Sequence, residues 1–521
     1  MRLTLLPLAI AASLLASPLA AKPFIFANQG DIRSMDPYAL NEALTTNVLG
    51  NIYEPLVQRG KDLSLEPGLA LSWEAVAPTV WRFRLRPNVS FHDGSPFTAD
   101  DVVFSLARVK AEGSDFRSTL AIVAEARVVD PLTVDLVTTR PFPILPNLIA
   151  NWLIMSRRWS EAIGAANPVD VRRQGEHPAN RQAAGTGPFK LASRDPGTRT
   201  VLEVNPTWWG TPEHNLTRVT FLPIASDATR VAALLSGEID MMEPVPLQDV
   251  PRIQANAGFK VLQGPELRTI FLGFDQWRDQ LQGASQPGNP LKDLRVRQAI
   301  AHAIDIEAIK TRIMRGAGVP TGSMVAPGIV GFDAALNDRP AFNVDRARAL
   351  LQEAGVGQGF EMGMNCPNDR YVNDEQICQA VAAMLARIGI RVRLQLDTRA
   401  VFFQKLYARE VTSFLFGWTP AALDSHNVLH AILSTPGEGG RGQFNLGRWS
   451  NPRVDELAVQ VGSELDLAKR QAMISEAFKI HRDDLGHIPL HQQTLAWGMK
   501  ANVQLVQRAD NFMFLRWIRV E

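Results

Sequence analysis

The side chains best suited to hold a metal ion are Asp424, His426 and His430. The two histidines are four apart, so both face one way if Ser425 caps a helix there. Two imidazoles and a carboxylate can hold a transition metal. No HExxH occurs, however, and no fourth ligand can be named, so histidines on a helix surface or pocket wall are the competing reading. His481, His487 and His491 scatter around Ile488-Pro489-Leu490 and carry less metal signal. Cys366 and Cys378 are the chain's two cysteines. Their spacing is too long for a redox CxxC, and a metal site needs more ligands than this pair. In an oxidising compartment they are expected to form a structural disulfide, with two free thiols as the alternative.

Other motifs suggest chemistry less well. In Phe91-His92-Asp93-Gly94 the Asp-Gly step is a tight-turn signal, and adjacent strand residues point to opposite faces, so His92 and Asp93 would not share a substrate. Thr98 with Asp101 reads as a capping box for a helix running to Arg108. Gly185-Thr186-Gly187-Pro188-Phe189-Lys190 lacks the Gly-Lys-Ser/Thr ending of a phosphate loop and fits a crossing between domains. No GxSxG elbow occurs, and neither cysteine has an electropositive setting. Together these absences argue for binding rather than catalysis.

The elements that must position these residues alternate between strand and helix, which indicates an α/β architecture. Val219 to Ile224 is β-rich, Ser226 can cap a helix that Gly237 ends, and Ile239 to Met242 is a short strand. A second βαβ unit has strand 360–366, helix 373–388 and strand 390–396, with Gly389 as the helix stop. Two separated units suggest two α/β lobes rather than one large sheet. Each unit should have parallel strands and a right-handed crossover. Between them and the N-terminus, Trp81 to Arg86 alternates strictly and Thr133 to Thr138 is another strand. Residues 63–184 therefore read as an inserted α+β domain. The arginines of the helix beginning at Arg295 are expected on a solvated face or in an interdomain pair.

Composition bounds the class. At 521 residues the chain is too long for one ordinary core. Its 46% hydrophobic and 21% charged content is that of a globular protein. A net charge of +1 is too balanced for a nucleic-acid partner. Met1-Arg2, the apolar run from Leu3 and the small residues Ala16, Ser17, Ala20 and Ala21 form a secretory signal pattern, with cleavage expected after Ala21. No cysteine stands at that point to carry a lipid anchor. The exported form is thus expected to be a soluble periplasmic protein acting as a monomer.

Taken in order, several landmarks resemble one family. They are Asn51-Ile52-Tyr53-Glu54-Pro55-Leu56-Val57, Pro67-Gly68-Leu69-Ala70 with Trp73, the Trp81–Ser105 block with FHDGSPFTADDVVFS, Gly185–Phe189, Leu235–Asp240, Arg295–Asp305, Gly417-Trp418 and Ile488-Pro489-Leu490. The chain is similar to the family 5 solute-binding proteins of ABC transporters, which include dipeptide-, oligopeptide-, glutathione- and nickel-binding members. The resemblance implies a two-lobed periplasmic-binding-protein fold (type II, cluster C) with an extra inserted α+β domain. Lobe I would be 22–62, 185–268 and 497–521, the insertion 63–184, and lobe II 269–496. Crossings near Phe271–Phe274 and Gln492–Trp497 would form the hinge.

It also implies capture without a cofactor. A small peptide or peptide-like solute would be held between the lobes and handed to a membrane permease pair driven by a cytoplasmic ATPase. Contact with the membrane complex would be peripheral. Nickel or metal-chelate uptake through His426 and His430 is the alternative within the fold, and a secreted hydrolase the alternative outside it. Peptide-binding relatives hold the ligand amine with an Asp three positions after the Gly-Trp tryptophan. That place is Ala421 here, and the nearest carboxylate is Asp424. Arg370 resembles the position that holds a ligand carboxylate, a task suited to a guanidinium fork. Trp418 is expected as a pocket wall, with Tyr371 and Asn41 as further ligand contacts.

Overall fold

The computed structural model describes residues 22–117, 119–169, 177–284, 286–420 and 422–521. Residues 1–21, expected as a signal segment, and Ala421 lie outside the described residues. One hydrogen-bonded sheet runs through the molecule in the order Ile390–Asp397, Phe360–Pro367, Ser413–Trp418, Phe259–Phe274, His487–Lys500, Met241–Glu243, Lys22–Asn28, Leu216–Pro223, Arg199–Val204 and Phe189–Asp195. The expectation of separate sheets is therefore corrected. The reason is the length of two antiparallel strands, Phe259–Phe274 and His487–Lys500, which pair with each other and serve both halves. Their register slips between Pro265 and Thr269, so the ladder is interrupted midway.

The helix of the first βαβ unit forms as its sequence specifies. Ser226 Oγ accepts from Thr229 N–H, and Gly237 ends the helix Asp227–Ser236 with φ of 83°. Its flanking strands are not neighbours, however. The N-terminal strand Lys22–Asn28 lies between Leu216–Pro223 and Met241–Glu243, parallel to both. In the second unit Phe360–Pro367 and Ile390–Asp397 pair directly in parallel, around the helix Asp374–Ala386. Cys366 at the strand end is bonded to Cys378 on that helix.

Within 63–184 four antiparallel strands form their own sheet, in the order Ala70–Ala77, Val80–Leu85, Thr133–Thr138, Val123–Asp130. The helix Ala99–Lys110 begins with the Thr98/Asp101 capping box. Among its described residues this region shows no core of its own. Phe83 and Leu136 belong to the same buried cluster as Phe24, Tyr38 and Trp497. His92 ties the insertion to the glycine loop: its Nε2 lies 3.0 Å from the Gly187 carbonyl, and Gly185 N–H donates to its Nδ1. A Cβ at Gly185 would run into the Ile52 carbonyl, which explains the glycine.

Core packing shows where the main sheet is split. A cluster containing Val231, Met242, Ile270, Leu415 and Ile377 covers one face through both halves. The opposite face is covered by two clusters. One, with Met241, Leu495 and Trp497, lies over the first half. The other, with Phe271, Phe414 and Phe416, lies over the second. Side chains alternate along strands, so Glu243 continues the Met241 face and Trp418 the Phe416 face. Both sit where their cluster ends. No described helix is long and apolar enough to cross a membrane.

Candidate functional site

The strands Phe360–Pro367 and Ser413–Trp418 run parallel with Asn365 opposite Phe414, so Trp418 projects past the end of its neighbour. In the other half Lys22–Asn28 and Met241–Glu243 end together, with Asn28 beside Glu243. Carboxyl ends of parallel strands are where open α/β sheets hold ligands. Between the two sets passes the interrupted stretch of Phe259–Phe274, carrying Glu266 and Arg268.

Trp418 is half-buried in an aromatic wall. Its ring lies 6.1 Å from Phe416 and 4.7 Å from Phe444, and its Nε1 donates to Asn427 Oδ1 at 2.8 Å. Tyr407 and Phe403 extend the wall, with Tyr407 half-exposed. Arg370 follows the strand end, and its guanidinium lies 5.2 Å from the ring of Tyr371. The Tyr371 hydroxyl accepts from Gly417 N–H at 2.9 Å, so the ring is fixed against the strand that carries Trp418. A Cβ on Gly417 would meet Ile270 and this ring at 2.7 Å, and the glycine therefore permits the contact.

Arg268 and Arg370 bring two cations to the same place. Burial lowers the Arg370 pKa, and the nearby charge of Arg268 lowers it further. Arg268 is bonded to Glu266 at 3.0 Å. Glu266 also accepts from Gln493 Nε2 at 2.7 Å, and Gln493 Oε1 accepts from Val372 N–H. Glu266, Arg268 and Arg370 together carry one net positive charge, and among the described residues Arg370 forms no salt bridge to a carboxylate. Buried polar atoms without partners lie close by in the chain: Thr269 Oγ1, cross-strand from Trp418, and Thr419 Oγ1, which follows it. Such atoms are the ones a polar solute satisfies.

The other candidate residues lie elsewhere or are already engaged. Asp424 is fully buried, accepts from Arg470 at 2.6 Å and caps the next turn through His426 N–H. His426 and His430 stack at 5.6 Å, and His426 meets Phe142 edge-on. Burial and the neighbouring His430 hold the His426 pKa down at about 3. Among the described residues no group of three or more potential ligands, Asp424, His426 and His430 included, could hold a metal ion. The helix there buries the ring, and Arg470 takes the carboxylate. Asn41 is exposed, its N–H donating to Asp115 at 2.8 Å. Arg297, expected on a solvated face or in a pair, is buried and paired with Asp484 at 2.8 Å. Sequence reasoning missed Glu243, Glu266, Arg268, Gln493 and the Phe403/Tyr407/Phe444 wall. The available signal was two charges inside an apolar strand beside Gly264-Pro265.

The two halves also touch directly. Arg59 Nη2 donates to the Ala422 carbonyl at 2.9 Å, and Arg140 to Ser463 Oγ at 2.8 Å.

Residues 64–440 match the family model described as bacterial extracellular solute-binding proteins, family 5 Middle. The chain belongs to this family. It is 24% identical to the dipeptide-binding protein of Escherichia coli (strain K12), over 96% of this chain and 94% of that one. It is likewise 24% identical to the glutathione-binding protein GsiB of Pectobacterium atrosepticum, over 90% and 88% of the two chains. Among solved structures, the periplasmic binding protein DppA from Helicobacter pylori in complex with peptide STSA superposes with a TM-score of 0.80, at 22% identity, covering 96% and 99%. CtaP from Listeria monocytogenes superposes at 0.83 with 20% identity, covering 96% and 99%. The family 5 chain thus has the two-lobed fold of periplasmic binding proteins.

Proposed function

We propose that this family 5 protein is the exported, solute-capturing component of an ABC importer for a small peptide or peptide-like solute with an anionic end. The observation that carries this reading is the site at the strand ends. An aromatic wall around Trp418 offers apolar contact, Arg370 with Arg268 nearby offers a guanidinium to a carboxylate, and the unpartnered hydroxyls of Thr269 and Thr419 adjoin Trp418 across the strand pair and along the chain. Lobes formed by 22–62, 185–268 and 497–521 on one side and 269–496 on the other close about the crossing strands. Closure is a population shift, stabilised by the solute's differential affinity for the closed state. The closed form docks on a permease pair powered by a cytoplasmic ATPase. Residues 1–21 direct export to the periplasm, and no covalent chemistry is involved.

Mass spectrometry of solute copurified with the protein, followed by thermal-shift titration with a peptide panel, tests the reading. A true ligand at a hundredfold excess over its Kd stabilises the fold by about 2.7 kcal/mol. It should be recovered with its mass unchanged. Flat melting curves across the whole panel, or a cleaved peptide, would reject the proposal.

A further inference from the structure

We infer that Glu243 docks a cationic nitrogen of the solute, the end opposite to the one met by Arg268 and Arg370. This inference rests on the proposed peptide-binding role and specifies the solute's second charged group. Three carboxylates among the described residues have a buried oxygen without a hydrogen-bond partner: Glu243, Asp397 and Asp424. Asp397 is ion-paired with Lys405 and Asp424 with Arg470. Glu243 forms no ion pair among the described residues, although it is only 6% exposed. It stands at the carboxyl end of Met241–Glu243, on the sheet face where the two apolar clusters part.

Its surroundings leave one oxygen for a ligand. Asn511, from the C-terminal segment, supplies a side-chain hydrogen bond to the carboxyl, while its own carbonyl oxygen accepts from Trp497 Nε1. Glu266, on the crossing strand, is occupied by Arg268 and Gln493. Arg230, on the helix Asp227–Ser236, gives its two terminal nitrogens to Asp227 and to the carbonyls of Ile224 and Pro244. Its Nε is buried without a partner among the described residues, and its charge acts on Glu243 without forming an ion pair to it. The position at which peptide-binding relatives are expected to carry an amine-holding Asp is Ala421 in this sequence. Glu243 approaches from the other half of the molecule, so an amine bound there would reach from one half to the other.

Burial is the main cause that pushes the Glu243 pKa up to about 7, with the charge of Glu266 adding to it and both the Asn511 hydrogen bond and the charge of Arg230 opposing it. Docking an ammonium group would ionise the carboxyl and release a proton. Affinity for a free amine should then fall roughly 20-fold from pH 7.5 to 5.5. The arginine pair stays charged throughout that range.

The test is calorimetric titration of the exported chain with free di- and tripeptides and with the same peptides N-acetylated. Wild type should prefer the free amines at least about tenfold, with heats that depend on the buffer's ionisation enthalpy. Glu243→Gln should lose that preference while keeping its affinity for the acetylated forms, which also shows that it is folded. Should the variant not fold, the buffer-dependent heats and pH dependence of wild type decide the matter. Equal affinity for free and acetylated peptides, binding without proton release, or an undiminished preference in Glu243→Gln would overturn the inference and leave the peptide-binding role intact. Failure of wild type to bind either form would remove both.

Discussion

Replacing Arg370 with Gln separates a ligand-holding arginine from a structural one. Arg370 is half-buried near Arg268, and its pKa is lowered by burial and by that like charge. Its removal relieves repulsion, so the ligand-free variant should melt no lower than wild type. A hydrogen bond to a charged group contributes about 1.5–3 kcal/mol. Losing about 2 kcal/mol weakens Kd roughly 30-fold for a solute with a free carboxylate. A peptide at a hundredfold excess over the wild-type Kd would then be only about threefold above that of the variant. Its stabilisation would drop from about 2.7 to about 0.9 kcal/mol. Differential scanning fluorimetry with free-acid peptides and their carboxyl-amides checks this. Wild type should discriminate the two forms and Arg370→Gln should not. Equal loss of affinity for acid and amide forms would mean that Arg370 only shapes the loop, and a lower ligand-free melting point would refute the repulsion argument.

Four further outcomes are expected. Changing Cys366 and Cys378 together to Ser should cost about 3 kcal/mol in urea unfolding, and the reduced wild type should match the variant. His426, His487 and His491 are held neutral by burial, with pKa values of about 3, 3 and 4. The unfolded chain takes up protons below about pH 6.5 while the folded one does not, so stability is full above that pH and falls toward pH 4. Each histidine adds up to about 1.4 kcal/mol per pH unit, measurable as a steep acid limb in denaturant midpoints. Arg470→Ala leaves Asp424 buried and unpaired, and it should destabilise the fold by about 3–5 kcal/mol. Nickel should shift the melting point of neither wild type nor a His426→Ala/His430→Ala chain, and a shift present only in wild type would restore the metal reading.

What the sequence made legible was mostly local. The Ser226 cap, the Gly237 stop, the Thr98/Asp101 box and the helix-to-strand unit ending at Ile390 each depend on residues within one or two turns. The cysteine pair joins neighbouring elements, so its partner choice was also nearby. Long-range placement was less visible. Nothing in Lys22–Asn28 says that it will slide between the strands of a later βαβ unit. The alternation in Val80–Leu85 announced a two-faced strand, but not that Phe83 would share a core with Trp497. At the site, Trp418 and Arg370 stood beside recognisable motifs. Glu266 and Arg268 acquire their meaning from a register slip in the middle of a strand, which only the paired strand reveals. Asp424 lay nearest in sequence to the expected anchor, yet its carboxylate is taken by Arg470, a residue 46 positions away.

The ladder joining Phe259–Phe274 to His487–Lys500 also restricts how such a molecule can change over time. A 16-residue strand shared by both halves means that neither half can be exchanged for that of a cousin without matching its register. New solute preferences should therefore arise through substitutions at the strand ends and in the loops beyond them. Wholesale swapping of lobes would leave two unpaired edges and a chain prone to self-association.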